Sequence, residues 1–293
     1  MLLKTIISNG DYKTPKNLKQ KTLSVQYVFL FILFFIWAFA YSQKVSADDQ
    51  HLPFRPGEKL TMNVKWGVIP AGQATLEVLP HKEINGVKTN HFVLTVRTTP
   101  FIDFFYKVRD KIDSYTDMKM SRSILYMKQK RGRGKKDIVV KFDWEKKEAR
   151  YSNLRRKGKR RNRKPVPIPP GTYDPMSVFY AFRLQDLEQG KELECPVTDG
   201  KKCVIGKAKV IKREKIIIAG QTFDTYLVKP DLEHLEGIFE KSKNASLKVW
   251  VTADKRKIPV RIESEVIVGS FIGELESIEN DGKVELILKE SKK

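Results

Sequence analysis

The chain has 293 residues, 56 of them Lys or Arg and 35 Asp or Glu, which gives a net charge of +21 at pH 7. A positive charge this large predicts polyanionic surroundings and does not specify a fold. The length suffices for one large all-β domain or two small ones. For a chain outside the cytoplasm, the expected polyanions are lipid phosphates, lipopolysaccharide and wall polymers, and nucleic acid is disfavoured.

The N-terminal segment predicts export from the cytoplasm. Four lysines between positions 13 and 21 precede an uncharged run from Leu23 to Tyr41, and Val45-Ser46-Ala47 then leads into two aspartates. Small residues before a cut are typical of signal peptidase sites, so residues 1–47 are predicted to be a signal peptide. Residues 48–293 then form a single β-rich envelope domain in the periplasm, and this location excludes most nucleotide-driven chemistry.

An uncleaved inner-membrane anchor is the alternative for this segment. The uncharged run approaches the roughly 20 residues that a helix needs to cross a bilayer. Positive charge before the run would keep the N-terminus inside and place the remaining chain outside the cytoplasm. No cysteine follows the run at the expected cut, which excludes a lipoprotein anchor there.

Alternating apolar and polar residues predict that the fold is mainly β. The first half shows this period of two in 60–66, 74–78, 92–96 and 138–144, with an Asn85-Gly86 turn between the second and third segments. Later strands are predicted at 204–213, 215–219, 223–229, 246–252 and 260–268. Many short strands separated by turn residues indicate an antiparallel curved sheet or a half-open barrel.

Two connections carry unusually apolar side chains. They are Trp66–Gly72 and Pro100–Tyr106, and the second has four aromatic residues within six positions. Loops normally expose polar residues, so apolar loops either fold back to cap the sheet or form a hydrophobic lip or membrane contact. The candidate apolar ligand-binding residues are Trp66, Val68, Ile69, Phe101, Phe104 and Phe105.

Carboxylates between these loops and the next strands raise an enzymatic alternative. Asp103, Asp110, Asp113 and Asp117 follow the aromatic run, and a facing pair could serve a glycosidase as acid and base. Asp110 and Asp113 are equally compatible with turn and strand-edge positions. The four histidines are scattered without metal-ligand spacing. The sequence therefore assigns no catalytic residue, no metal and no cofactor, and a non-enzymatic role is preferred.

Two basic clusters suggest an anion site. The first covers Lys128 to Lys136, and the second forms a basic loop at about 155–164, with eight cations in ten residues. Because so many like charges repel one another, we expect the basic loop to be mobile unless an anion orders it. The candidate anion-binding residues are Arg155, Arg156, Lys159, Arg160 and Arg161. The alternative is a basic loop that only raises solubility.

One helix is predicted after the proline-rich connector at 165–171. Asp174 is a suitable N-cap, Pro175 suits the first helical position, and Gly190 lies beyond the end. The apolar residues between them recur at helical spacing, which indicates a helix packed on the concave face of the sheet.

The only cysteines, Cys195 and Cys203, suit an oxidising compartment. A three-residue loop Thr198-Asp199-Gly200, with Gly200 in the left-handed region, would close a bulged hairpin. That register would place the cysteines opposite each other, so a structural disulfide between them is predicted.

Six stretches of the chain carry a resemblance to a known family, and they are 54–60, 64–72, 110–115, 173–177, 249–254 and 258–260. Taken in order, they resemble the domain of unknown function 3108 family of exported bacterial envelope proteins. The resemblance implies a single β-rich envelope domain and supplies no reaction, and the architecture is loosely similar to periplasmic lipoprotein and lipid carriers. The chain departs from the family mostly at the basic loop.

Together these features predict an exported, non-enzymatic periplasmic protein that binds an amphiphilic or polyanionic envelope component. The partner would be a lipid, lipopolysaccharide, lipoprotein or wall polymer, with possible contact to a membrane surface. Two alternatives stay open: a carboxylate-dependent carbohydrate-active enzyme, and a scaffold of an envelope protein assembly.

Overall fold

The computed structural model describes residues 52–132, 135–154, 160–231, 246–266 and 269–286, and the predicted signal peptide lies outside them. The helices are α1 (Pro100–Tyr106) and α2 (Ser177–Arg183). The strands are β1 (Lys59–Trp66), β2 (Ile69–Ile84), β3 (Val87–Thr98), β4 (Arg109–Asp117), β5 (Ser123–Lys130), β6 (Lys136–Asp143), β7 (Glu148–Leu154), β8 (Arg160–Asn162), β9 (Val166–Pro167), β10 (Glu192–Thr198), β11 (Cys203–Ile218), β12 (Gln221–Pro230), β13 (Ser246–Thr252), β14 (Pro259–Val266), β15 (Gly269–Asn280) and β16 (Lys283–Leu286).

The predicted fold class is confirmed: the described strands form one curved, open, antiparallel sheet. The strand order is β10-β11-β12-β13-β14-β15-β1-β2-β3-β4-β5-β6-β7-β8, with β16 beside β15 and β9 beside β7. Asn85 and Gly86 both have positive φ and join β2 to β3, as expected for a tight hairpin turn. Neither described helix is long and apolar enough to cross a bilayer.

Residues 204–219, predicted as two strands, largely belong to the single strand β11. Its register with β12 shifts between Val210 and Lys212, so Ile211 is an extra residue in the ladder. A bulge of this kind reverses the alternation of side chains along a strand. The strand break predicted at Glu214 is therefore wrong: pairing with β12 continues through this position, and the irregularity of β11 is the bulge at Ile211.

Helix α2 packs on the concave face of the sheet, as predicted, although it is shorter than the apolar stripe suggested. Asp174 Oδ1 accepts hydrogen bonds from the backbone N–H groups of Met176 (2.8 Å) and Ser177 (2.9 Å). Tyr180 stacks on Phe92 of β3 with ring centroids 3.9 Å apart. All seven residues of α2 are buried. The helix therefore forms part of the core.

A buried ion pair fixes α2 to the start of β1. The Arg183 guanidinium donates to both carboxylate oxygens of Glu58, at 2.5 and 2.9 Å. It also donates to the carbonyl oxygens of Arg256 (2.9 Å) and Pro53 (3.0 Å). Both charged side chains are almost completely removed from water. This pair was not anticipated from the sequence, because the two residues are 125 positions apart.

A short segment before α2 connects strands that are distant in the sheet. The N–H of Ser123 on β5 donates to Thr172 O (3.1 Å), and the N–H of Tyr173 donates to Pro196 O on β10 (3.0 Å). Thr198 N in turn donates to Tyr173 O (2.9 Å). The edge strand β10 is thereby brought across the concave face toward β5.

The predicted disulfide is wrong: Cys195 and Cys203 are not bonded to each other. Thr198, rather than Cys195, lies opposite Cys203, and Cys195 lies opposite Gly206. Thr198 Oγ1 closes the turn by accepting from Gly200 N (3.0 Å) and donating to Lys202 O (2.7 Å). An offset of three residues puts the cysteine side chains on opposite faces of the hairpin. Burial also raises the pKa of the Cys203 thiol.

We therefore expect a reductant to leave the stability of the folded protein unchanged. Because the thiols lie on opposite faces, no crosslink restricts the unfolded chain, and dithiothreitol has nothing to remove. Thermal unfolding with and without dithiothreitol should give the same midpoint, and titration in denaturant should find both thiols. A lower midpoint under reducing conditions would contradict this register.

Candidate functional site

The turns and connections of the sheet place both predicted site regions at one end, here called the loop rim. It carries the turn from Trp66 to Ile69, helix α1, the β5–β6 turn and the ends of β7 and β8. Thr99, just before α1, donates from its N–H to Ala71 O (3.0 Å) and from Oγ1 to Pro70 O (3.2 Å). The two apolar loops are therefore neighbours, although they are about thirty residues apart in sequence.

The second apolar loop forms helix α1 rather than an irregular connection. Pro100 lies in its first turn, and Thr99 Oγ1 accepts from Ile102 N (3.4 Å) as an N-cap. Helical spacing then divides the side chains: Ile102 and Tyr106 point into the core, whereas Phe101, Phe104 and Phe105 point into solvent. One face of α1 therefore packs on the core, and the other face exposes apolar side chains to solvent.

The three exposed rings form a continuous aromatic surface. Phe105 lies edge-on to both Phe101 and Phe104, with centroid separations of 5.6 and 5.2 Å. Phe104 is 87% exposed, and Val68 on the neighbouring turn is 92% exposed. Exposed apolar groups that lie together mark binding surfaces more often than scattered ones.

The remaining predicted apolar residues, Trp66 and Ile69, are partly exposed at the same rim. Trp66 stacks on Phe271 of β15 with centroids 6.1 Å apart. A side chain at Gly269 would collide with the indole, since its Cβ would lie 2.8 Å from Trp66 Nε1. All six predicted apolar residues therefore lie at the loop rim, with Trp66 at its border.

An ion pair holds α1 in this orientation. Arg109 donates to Asp103 through both terminal nitrogens, at 2.6 and 3.0 Å, and also to Val108 O and Thr98 O. Thr98 Oγ1 donates to the same Asp103 carboxylate. Burial would raise the pKa of Asp103, but the hydrogen bonds from Thr98 and Arg109 lower it below its ordinary value. The exposed rings are therefore presented on a fixed support.

Cations flank the aromatic surface. Arg131 N, in the β5–β6 turn, donates to Arg109 O (2.9 Å). A Cβ on Gly132 would lie 2.0 Å from Lys107 O, so this turn packs directly on the chain that leaves α1. Arg131 and Lys107 are exposed. The aromatic surface thus has basic side chains at its border.

The predicted anion-binding residues fall mostly outside the described residues. Arg155, Arg156 and Lys159 are not described, and only the backbone of Arg160 and Arg161 is. In β8 these two positions pair with Leu154 and Asn153 of β7. Leu154 in turn lies opposite Asp137 at the start of β6, so the flanking strands end at the loop rim.

The four candidate carboxylates do not face one cleft. Asp103 is paired with Arg109, and Asp117, at the other end of β4, accepts from Ser121 N (2.7 Å). Asp110 and Asp113 are three residues apart on β4, which puts their side chains on opposite faces of the sheet. The paired-carboxylate hypothesis thereby loses the geometry that it required.

Asp113 is instead part of a charged network on the outer face of the sheet. Its Oδ1 lies 3.0 Å from His91 Nε2 and 3.1 Å from Lys111 Nζ, and His91 stacks on Tyr115. Burial would raise the pKa of Asp113, but these two partners lower it below its ordinary value. No group of three metal-ligating side chains occurs among the described residues.

The comparisons with known proteins identify a family. A family model described as "Protein of unknown function (DUF3108)" matches residues 61–276, which agrees with the resemblance noted in the sequence. No curated protein matches the chain.

The solved structures that are similar to this chain include the following three, all at low identity. A β-barrel-like protein of domain of unknown function DUF1849 from Brucella abortus has a TM-score of 0.49 at 9% identity, covering 78% of this chain and 99% of its own. A proposed exported protein with a YmcC-like fold from Bacteroides fragilis has a TM-score of 0.34 at 9% identity, covering 80% of this chain and 98% of its own. A proposed lipoprotein from Parabacteroides distasonis has a TM-score of 0.32 at 12% identity, covering 81% of this chain and 100% of its own.

Proposed function

Because this chain belongs to the DUF3108 family, whose function is unknown, we propose its function from the geometry of the loop rim. The protein is a non-enzymatic periplasmic binding protein. Its loop rim binds an amphiphilic envelope component, with apolar groups on α1 and an anionic head group on the neighbouring cations. The N-terminal basic and apolar segment supports the periplasmic location.

The observation that carries this proposal is the exposed aromatic face of α1 beside basic turns. Phe101, Phe104 and Phe105 remain in water although the same helix buries Ile102 and Tyr106. A phenyl side chain that leaves water gains about 1.5–3 kcal/mol, so three rings on one face favour insertion into an apolar phase. Basic side chains beside them would each add about 1 kcal/mol at an anionic lipid surface.

We expect the triple variant Phe101→Ser, Phe104→Ser and Phe105→Ser to lose most of its affinity for anionic phospholipid vesicles. If each ring contributes about 1 kcal/mol through partial insertion, the partition coefficient falls about 100-fold. Co-sedimentation of residues 48–293 with vesicles of phosphatidylglycerol and phosphatidylethanolamine measures this change. Raised salt should weaken wild-type binding, because the cationic part is screened.

The matched control is the double variant Ile217→Ser and Val284→Ser. These side chains are also exposed, but they lie near turns at the opposite end of the sheet. The control should bind vesicles as the wild type does. The lipid proposal would be overturned if the triple variant and the control lost vesicle affinity equally, or if the wild type bound no vesicle. A rim that captures only an envelope protein would instead support the scaffold alternative.

A further inference from the structure

A second polar region lies inside the curved sheet, close to the loop rim. On β4 and β5 the inward-facing side chains become charged toward this end: Asp110 lies opposite Lys130, and Lys128 lies one inward position deeper, opposite Ile112. Lys128 is only 4% exposed, and Asp110 is also buried. Two lysines and one carboxylate therefore share the inner surface of neighbouring strands.

The β10–β11 turn forms the other wall of this region. A Cβ on Gly200 would lie 2.8 Å from the methyl carbons of Val140 and 3.1 Å from Tyr151 Cβ, so the turn packs on the inner surface of β6 and β7. The turn brings its own ion pair between Lys201 and Asp199. Lys201 Nζ lies 5.7 Å from the centroid of the Tyr151 ring.

The balance of charge in this enclosed space favours an added anion. Lys128, Lys130 and Lys201 face Asp110 and Asp199, and Lys136 approaches from β6. Burial lowers the pKa of Lys128 well below its usual range and that of Lys130 to about 8, and neighbouring lysines add to this effect. Burial raises the pKa of Asp110, although the two lysines oppose this. A bound anion would relieve the repulsion among the lysines.

Two buried polar groups at the same place have no hydrogen-bond partner among the described residues. The Tyr126 hydroxyl, on the inward side of β5 between Lys128 and Ile124, is one, and the Asn153 side-chain oxygen is the other. Tyr126 is 2% exposed and Asn153 8% exposed. Ile138 of β6 lies opposite both Lys128 and Asn153, so the amide is on the same row of the inner surface. Buried polar groups without partners are uncommon and costly.

We propose that this inner lysine cluster, formed by Lys128, Lys130 and Lys201 with Tyr126 and Asn153, binds a phosphate group. The lysines would supply charge and N–H donors, and the Tyr126 hydroxyl would donate to one phosphate oxygen. Turning the Asn153 side-chain amide by 180° exchanges its oxygen and its NH2 group, which have nearly the same shape. In that orientation the NH2 group can donate to the phosphate. This site is separate from the aromatic surface of the loop rim, so it does not depend on the proposed function.

The decisive variant is Tyr126→Phe, titrated with inorganic phosphate and with a water-soluble short-chain phosphatidic acid. This substitution removes only a hydroxyl that has no hydrogen-bond partner in the part of the chain that the structure describes, so the fold should be retained. Calorimetry should show at least about a tenfold loss of affinity, the cost of one hydrogen bond to a charged group. Lys130→Gln should weaken binding further, and Lys141→Gln, an exposed position on the outer face of β6, should not.

The pH dependence provides a readout that structural damage would not mimic. Wild-type affinity for phosphate should be higher below pH 8 than above it, because Lys130 loses its proton in that range. Lys130→Gln should flatten this difference. Binding of inorganic phosphate identifies a free anion as sufficient, whereas binding of phosphatidic acid alone assigns the site to a lipid head group.

Two results would overturn the proposal. One is the absence of binding of either probe at concentrations on the order of 10 mM, far above a specific affinity. The other is equal affinity in the wild type and Tyr126→Phe. The triple phenylalanine variant of the loop rim should retain phosphate binding, so failure of the rim proposal and failure of this one are distinguishable.

Discussion

Replacing Glu58 with glutamine is expected to destabilise the protein by about 3–5 kcal/mol, because the Arg183 guanidinium is then left buried without a counter-charge. The glutamine keeps the shape of the side chain but cannot neutralise a cation that is completely removed from solvent. The free energy of unfolding in urea, with the midpoint and slope fitted separately, measures this change.

A matched substitution and a double variant test the physical reason. Glu194→Gln removes the same charge from an exposed pair with Lys207 and should leave the unfolding midpoint unchanged within error. Replacing both Glu58 by Leu and Arg183 by Met should be less harmful than either single change, since no buried charge remains. Equal effects of Glu58→Gln and Glu194→Gln would contradict the importance of burial.

Asp174→Ala is expected to have the second largest effect and to lower the free energy of unfolding by about 3 kcal/mol. The Asp174 carboxylate accepts four hydrogen bonds in the core: from Ser114 Oγ and Ser123 Oγ, both at 2.7 Å, and from the N–H groups before and at the start of α2. Alanine removes the N-terminal support of the helix and leaves buried donors unpaired. Urea unfolding gives the free energy, and near-ultraviolet circular dichroism reports the packing of Tyr180.

Asp254→Ala is the control for this prediction. Asp254 also accepts hydrogen bonds from its local turn, from Thr252 Oγ1 and from the N–H groups of Arg256 and Lys257, but this turn is exposed. Water can replace the lost acceptor there, so we expect a loss of about 1 kcal/mol. If the two substitutions lower the free energy of unfolding equally, the core network around Asp174 contributes less to stability than its geometry implies.

Strand β4 shows why part of the site could not be predicted from alternation. Its sequence has polar residues on both faces, because Ser114 faces Asp174 in the interior and Asp113 faces His91 on the outside. Apolar periodicity is the main signal for a strand, and it is absent where both faces are occupied by hydrogen-bonded networks. The position of the candidate carboxylates therefore became clear only when their strand was placed.

The loop rim was partly predictable. Apolar side chains in two connections indicated a surface feature, and Thr99 followed by Pro100 is a local signal of a helix start. The two loops lie close together because β2 pairs with β3, and this pairing aligns Gly72 with Thr98. The inner lysine cluster was hidden, since Lys128 and Lys130 resemble an ordinary solvated basic segment.

The sequence by itself determined the features that depend on local periodicity and turn chemistry: a mainly β fold, the Asn85-Gly86 hairpin, the helix on the concave face and the family. Tertiary structure alone decided the hairpin register that separates Cys195 from Cys203, the pairing of Glu58 with Arg183 and the burial of Lys128. These outcomes depend on which distant strands and turns pack together. Contacts between residues far apart in the chain leave no periodic trace in either segment, so only the folded sheet reveals them.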